Sequence, residues 1–174
     1  MIDVYFDTEF SGTELKNGRR YLISIGCVAQ DGREFYAELS DTWDESLCSI
    51  FTIENVIPLL QGGDCKMEVG ELAVRLAAWI EGLTDAQVTF YSDAPHFDWP
   101  FIQEIFDAHG WPANLVRRCS HACAFESETE RFRYNAAIAN FWHTNKAAGV
   151  KPHHALWDAH SIRFAHRYAL RRRC

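Results

Sequence analysis

The stretch IDVYFDTEF, Ile2 to Phe10, decides how this chain is read. Residues 2–7 alternate apolar and polar and carry aromatic and branched side chains, which suits a strand. Successive side chains on a strand point to opposite faces, so Asp7 and Glu9, two apart at its end, share one face. Two carboxylates pressed together repel, and each raises the pKa of the other unless a cation lies between them. The plain alternative is an exposed strand end with two solvated acids. Phe6 and Phe10, flanking the pair, favour a partly buried position instead.

Outward from this strand the chain continues with sheet-forming sequence. YLISIGCVAQ (Tyr21–Gln30), the turn pair Asp31-Gly32 and REFYAEL (Arg33–Leu39) form a hairpin signal. Residues 68–81 carry apolar side chains at helical spacing among good helix formers. AQVTFYS (86–92) reads as a further strand. WPFIQEIFDAH (Trp99–His109) reads as a helix that Gly110 closes. A short strand near LVRRCS (115–120), a helix over 131–146 and a last helix from about 153 to 170 follow, with Pro152 placed to begin the last. Three strands and then alternating helix and strand predict an α/β fold with a mixed sheet flanked by helices. No repeat, low-complexity tract or long linker interrupts the chain, and its 174 residues suit one domain, 1–174.

The bulk chemistry narrows the partners. With 48% hydrophobic and 24% charged residues the chain is globular rather than disordered. A net charge of -7 argues against tight binding to long duplexes, where affinity comes from neutralising phosphates. Short or single-stranded substrates stay open, above all where metal ions offset a cluster of carboxylates. The start MIDVYFDTEF lacks a basic segment followed by an apolar run, so no signal peptide is expected. No apolar stretch reaches membrane-spanning length. Six cysteines in that setting read as reduced, mostly buried thiols of a cytoplasmic protein. CSHAC (Cys119, His121, Cys123) has the look of a metal clip, but it lacks the Cys-x-x-Cys spacing and a second ligand pair. Alternation along a strand or loop edge is the preferred reading.

Two further acidic segments could join the first. In YSDAPHFDWPFI, Asp98 opens a helix amid Phe97, Trp99 and Phe101; the simple role for Asp98 or Asp93 is to complement a helix N-terminus. In KPHHALWDAH (Lys151–His160), His153 precedes Asp158 by five residues. At 3.6 residues per turn that offset turns the side chains about 140° apart, so they converge only with His153 in the loop or first turn.

Taken in order, FDTEF, HFDWPFI and HHALWDA resemble the three motifs of the DEDDh 3′–5′ exonucleases, which have a ribonuclease H-like fold. The resemblance implies Asp7, Glu9, Asp98 and Asp158 as metal ligands and His153, rather than His154, as general base. Within that superfamily, YFDTEF, LISIGCVAQDGREFYAE and HHALWDA look closest to the mycobacterial-type exoribonuclease RNase AS. That group implies an RNA substrate, adenylate preference and a homodimer. Residues 40–85 and 110–150 carry no motif of the family. The motifs do not distinguish sugars, so a 3′–5′ DNA exonuclease of repair or proofreading type is the alternative. A catalytically inactive nucleic-acid-binding domain is a further one.

The chemistry fits these residue types. Phosphodiester hydrolysis needs a nucleophile, charge neutralisation and help for the leaving oxygen, which two divalent cations can supply together. Hard Mg²⁺ or Mn²⁺ prefers carboxylate oxygens, and four acids without cysteine match that preference. Asp7 would bridge the two ions. A neutral imidazole at His153 titrates near working pH and could take a proton from water. Phe10 is a candidate to stack on the terminal base, with Thr8 and Trp99 as further substrate contacts. The arginines Arg167, Arg171, Arg172 and Arg173 read as a solvated helix end, or else as a phosphate track.

Overall fold

In chain order the elements are β1 (Ile2–Phe10), β2 (Leu22–Ala29), β3 (Glu34–Leu39), α1 (Ile50–Asn55), β4 (Lys66–Met67) and α2 (Val69–Glu81). Then come β5 (Val88–Ser92), α3 (Pro95–His109), β6 (Leu115–His121), α4 (Glu128–Asn145) and α5 (Ala155–Ala169). The structure is a computed structural model that describes residues 1–170. Arg171, Arg172 and Arg173 lie outside the described residues.

The six strands form one sheet in the order β4-β3-β2-β1-β5-β6. β2 runs antiparallel to both β1 and β3, β4 joins β3 in parallel, and β5 and β6 extend the other edge in parallel with β1. This is the mixed sheet that the strand-rich start and the later alternation predict. Even-numbered residues of β1 (Val4, Phe6) enter the main core with Leu72, Leu76 and Ile80 of α2 and Ile102, Ile105 and Phe106 of α3. Tyr5 faces the opposite way, against Ile162 of α5. β2 is buried at every residue, since helices cover both of its faces.

Several boundaries differ from the sequence expectation, each for a local reason. α3 starts at Pro95 and not at Trp99: a proline in the first helical turn loses no intrahelical bond, and the bias against a helical residue before Pro100 is overridden. α4 starts at Glu128 because the Ser127 hydroxyl caps it, accepting from the Glu130 N–H. α5 starts at Ala155, so Pro152 stands ahead of the helix in a bend and does not open it. α1 and β4 come from the stretch that gave no signal, being only six and two residues long. Arg167 is braced at the helix end: it and Arg163 both donate to the Gln30 carbonyl at 2.9 Å. Among the described residues no helix is long and apolar enough to cross a membrane, and the five described cysteines are free.

One glycine governs how the layers meet. Gly26 of β2 lies opposite Asp7 of β1. A Cβ placed on it would collide with the backbone of Ala155 and Leu156, where α5 begins. The helix start therefore rests directly on the sheet beside Asp7. Gly26→Ala should force α5 outward and cost about 1–3 kcal/mol by overpacking. Gly70→Ala is the control, because a Cβ there meets only His109 at an ordinary 3.8 Å. Denaturant unfolding of the two variants checks the contrast, and equal stability would mean that the close approach is not needed.

Candidate active site

β1 delivers Asp7 and Glu9 to one face, as period two requires, and α5 delivers Asp158 onto them. Ligand oxygens of Asp7, Glu9 and Asp158 lie within 4.8 Å of one another. A second group forms on the other side of Asp7, where oxygens of Asp7, Asp93 and Asp98 lie within 4.8 Å. Asp7 thus belongs to both groups. All four acids named from sequence are brought together.

Asp93 was given only a helix-end role in the sequence, and the structure adds it to the cluster. A signal for it existed in strand register. β1 and β5 are parallel with Tyr5 beside Tyr91, and their rings stack at 5.5 Å. Two residues on, Asp7 of β1 and Asp93, just past the end of β5, come together.

Each acid is held differently. Asp98 is buried, its carboxylate accepting from the Thr8 hydroxyl at 2.6 Å and from the Ser92 hydroxyl. The N–H of His154, the residue before α5, donates to Asp158 Oδ2 at 3.0 Å, so the helix start itself fixes that side chain. Among the described residues no salt bridge reaches any of the five acids.

The electrostatic outcome follows. Burial, then the charges of Asp98, Asp158, Glu9 and Asp93, hold the Asp7 carboxyl well above the usual carboxylate range. Glu9 is pushed up to about 8 by burial and by Asp158 and Asp98. Burial raises Asp158 to about 7 against the opposing N–H groups of His154 and His153. Asp98 rises to about 6, burial outweighing the two hydroxyls that favour its charged form. Burial also raises Asp93, with His121 nearby opposing. Oxygen-only, desolvated and without a cationic side chain, this donor set suits hard divalent cations.

The two histidines part company. His153 sits in the bend before α5 with φ 67, a left-handed backbone uncommon for a residue with a Cβ, and is exposed. Its ring meets Phe51 edge-on at 4.9 Å. With Glu9, Phe10, Gly12, Thr13, Ser49, Phe51, Thr52 and Val56 it lines a cavity of about 270 Å³. Partial burial lowers its pKa, which keeps the ring neutral at pH 7. His154 is buried, stacked on Tyr36 at 4.7 Å and bonded to Gln61 at 2.9 Å.

Of the residues expected at the substrate, Phe10 alone fronts the cavity. The Thr8 hydroxyl is engaged by Asp98 and its side chain is buried. Trp99 is a core residue, packed edge-on to Phe6 and Phe90 and against Trp111. Both face the α3 side of the sheet, away from α5. The Cys119, His121 and Cys123 side chains form no ligand cluster among the described residues. Cys119 packs on the main core and Cys123 on the cluster around Tyr134.

No family model matches the chain, and no curated protein matches it in sequence. Among solved structures it is similar to exonuclease I, with TM-score 0.56 at 12% identity over 93% of this chain and 39% of that one. It is also similar to zinc-bound E. coli exonuclease I with single-stranded DNA, at TM-score 0.55 and 12% identity, over 93% and 38% of the two chains. For E. coli exonuclease I with a dA16 oligonucleotide the values are 0.55 and 13%, over 93% and 39%. The fold is the ribonuclease H-like exonuclease fold. This chain spans less than half the length of those proteins.

The raised carboxyls have a pH signature. Each binds its proton more tightly folded than unfolded, so between about pH 4 and the Glu9 value of about 8 the folded state holds more protons. Cation-free protein should therefore lose stability as pH rises through that window. In chelator the unfolding temperature should fall from pH 5 to pH 8, and Mg²⁺ or Mn²⁺ should raise it far more at pH 8 than at pH 5. Asp158→Asn should flatten the chelator profile by removing one repelling charge. A flat wild-type profile would contradict the crowding.

Proposed function

We propose that this protein is a metal-dependent 3′–5′ exoribonuclease that releases 5′-nucleoside monophosphates from single-stranded ends. The observation that carries the reading is the meeting of Asp7, Glu9, Asp98 and Asp158, with His153 on the rim of the cavity that Glu9 also lines. The exonuclease fold supports it.

Two divalent cations, Mg²⁺ or Mn²⁺, would supply a nucleophilic water at neutral pH and offset charge on the phosphate. Glu9 and Asp158 would hold one ion, Asp98 and Asp93 the other, and Asp7 would serve both. Asp93 departs from the four-acid pattern of the resemblance and adds a carboxylate with no salt bridge among the described residues. The ring of His153, neutral at working pH, would take the proton from the attacking water. Thr8 and Ser92 orient Asp98 and do not touch substrate. Phe10 would stack on the terminal base within the cavity.

For the sugar, the resemblance to RNase AS supports ribose and a 3′ adenylate, and with them a cytoplasmic homodimer. The DNA exonuclease alternative is supported by the solved neighbours, whose bound oligonucleotides include single-stranded DNA and dA16. A 5′-labelled RNA ending in adenosines should shorten from its 3′ end as a ladder, faster than matched DNA or blunt duplex RNA. Internal cuts would refute the exonuclease reading; equal rates on RNA and DNA would refute only the sugar preference.

The two histidines should separate in the same assay. His153→Ala should lower turnover by about 10²- to 10⁴-fold, as expected for loss of a general base, with folding intact. His154→Ala should act mainly on stability, because its ring is buried between Tyr36 and Gln61. The opposite ranking in turnover would reassign the base.

A further inference from the structure

The site has an unanswered charge problem. A polyanion must approach a protein of net charge -7 and enter a cleft of five acids. Cations bound to those acids serve the scissile phosphate, not the phosphates behind it. Strand capture then calls for fixed positive charge near the mouth of the cavity.

The hairpin between β1 and β2 supplies it. Its tip reads KNGRR, Lys16 to Arg20, three cations in five residues. Lys16 and Arg19 pair across the turn, while Asn17 (φ 51) and Gly18 (φ 78) both take the left-handed backbone that a tight two-residue turn requires. Arg19 is already paired with Glu104 at 2.8 Å. Arg20 is not in a salt bridge among the described residues. Its Nε and Nη2 donate to the Thr13 carbonyl at 3.0 and 2.8 Å, and its guanidinium lies 4.8 Å over the Phe97 ring. Phe97 stacks in turn on Phe10 at 5.8 Å. Both Thr13 and Phe10 line the cavity with Glu9 and His153.

We propose that this hairpin is a docking surface for the phosphodiester backbone of the bound single strand, with Arg20 as the cation that grips an upstream phosphate. The proposal rests on the nuclease reading above. Three features favour Arg20 over a merely bracing role. Among the described residues its charge is not cancelled by a carboxylate and its Nη1 makes no hydrogen bond, and its fork is oriented in advance by Thr13 and Phe97. Two ring spacings separate it from Phe10. At about 3.4 Å of rise per stacked nucleotide, that reach corresponds to at most about three nucleotides behind the terminal one.

The test uses a single-stranded RNA 8-mer with phosphorothioate linkages at its 3′ end, so that it stays intact while binding is measured against salt. Arg20→Gln should weaken binding about 5- to 10-fold and reduce the slope of log affinity against log salt by about 0.7, one phosphate contact on a single strand. Arg20→Lys should keep most of the slope. Lys16→Ala, on the exposed tip, should lower it independently of any effect on the Arg20 brace. With cleavable substrate, Arg20→Gln should raise KM and leave kcat within about twofold, and the KM penalty should grow from dinucleotide to 8-mer. Unchanged slopes in both variants, or a loss equal on dinucleotide and 8-mer, would overturn the proposal and leave Arg20 a brace. Wild-type protein that trims normally beside an indifferent Arg20→Gln sinks only the hairpin role. Wild-type protein that neither binds nor trims any single strand sinks the nuclease reading itself.

Discussion

The close contact between the start of α5 and Gly26 of β2 is the constraint on which the site depends. Because Gly26 is the cross-strand neighbour of Asp7, a helix that rests on Gly26 must bring its first turn to Asp7. Asp158 is in that first turn, and the N–H just ahead of it ties one of its oxygens down. A side chain at 26 would open a gap of atomic size between layers, and the Asp7–Glu9–Asp158 group would lose its third member. The same contact leaves His153 just outside the helix, at the cavity mouth.

What the contact assembles is unfavourable by itself. Desolvation pushes all five carboxyls upward, and neighbouring carboxylates add to it at Asp7, Glu9, Asp98 and Asp158. The opposite face of the sheet offsets this. Phe6, Phe90, Trp99 and Phe106 form a continuous aromatic core beneath the acids. Trp99, adjacent to Asp98 in sequence, anchors the start of α3 in that core. The substrate role expected for it and the packing role it has are mutually exclusive for one ring. Asp98 gains its place from the packing.

The legible parts of the sequence were those that depend on local period. Alternation in IDVYFD gave β1 and put Asp7 and Glu9 on one face; Asp31-Gly32 gave the β2–β3 hairpin; apolar spacing over 68–81 gave α2. Asp98, His153 and Asp158 were legible only through the resemblance of three motifs taken in order. Asp93 was not, because its place beside Asp7 depends on the register of two strands some 80 residues apart. Gly26 was hidden for a similar reason, since nothing within a buried strand tells which residue a helix will touch. Thr8, named as a substrate contact from the sequence, has its hydroxyl turned by strand alternation to the far face, where it donates to Asp98.

The cavity bears on how a base could be chosen there. Its side-chain hydroxyls besides Thr13 belong to Ser49 and Thr52, and both are engaged. Ser49 accepts from the Thr52 N–H at the start of α1 and bonds the Thr52 hydroxyl at 2.9 Å, while the Thr52 hydroxyl reaches the Phe10 carbonyl at 3.3 Å. Glu9 and His153 also line it, but in the proposed reaction they are committed to a cation and to the attacking water, and the remaining side-chain walls are Phe10, Phe51 and Val56. A pocket so furnished offers stacking surface and few free donors or acceptors for a base edge. An adenylate preference of the kind implied by the RNase AS resemblance would then have to arise from ring area and stacking strength, which grade the bases gradually, and not from hydrogen-bond readout, which excludes the wrong ones.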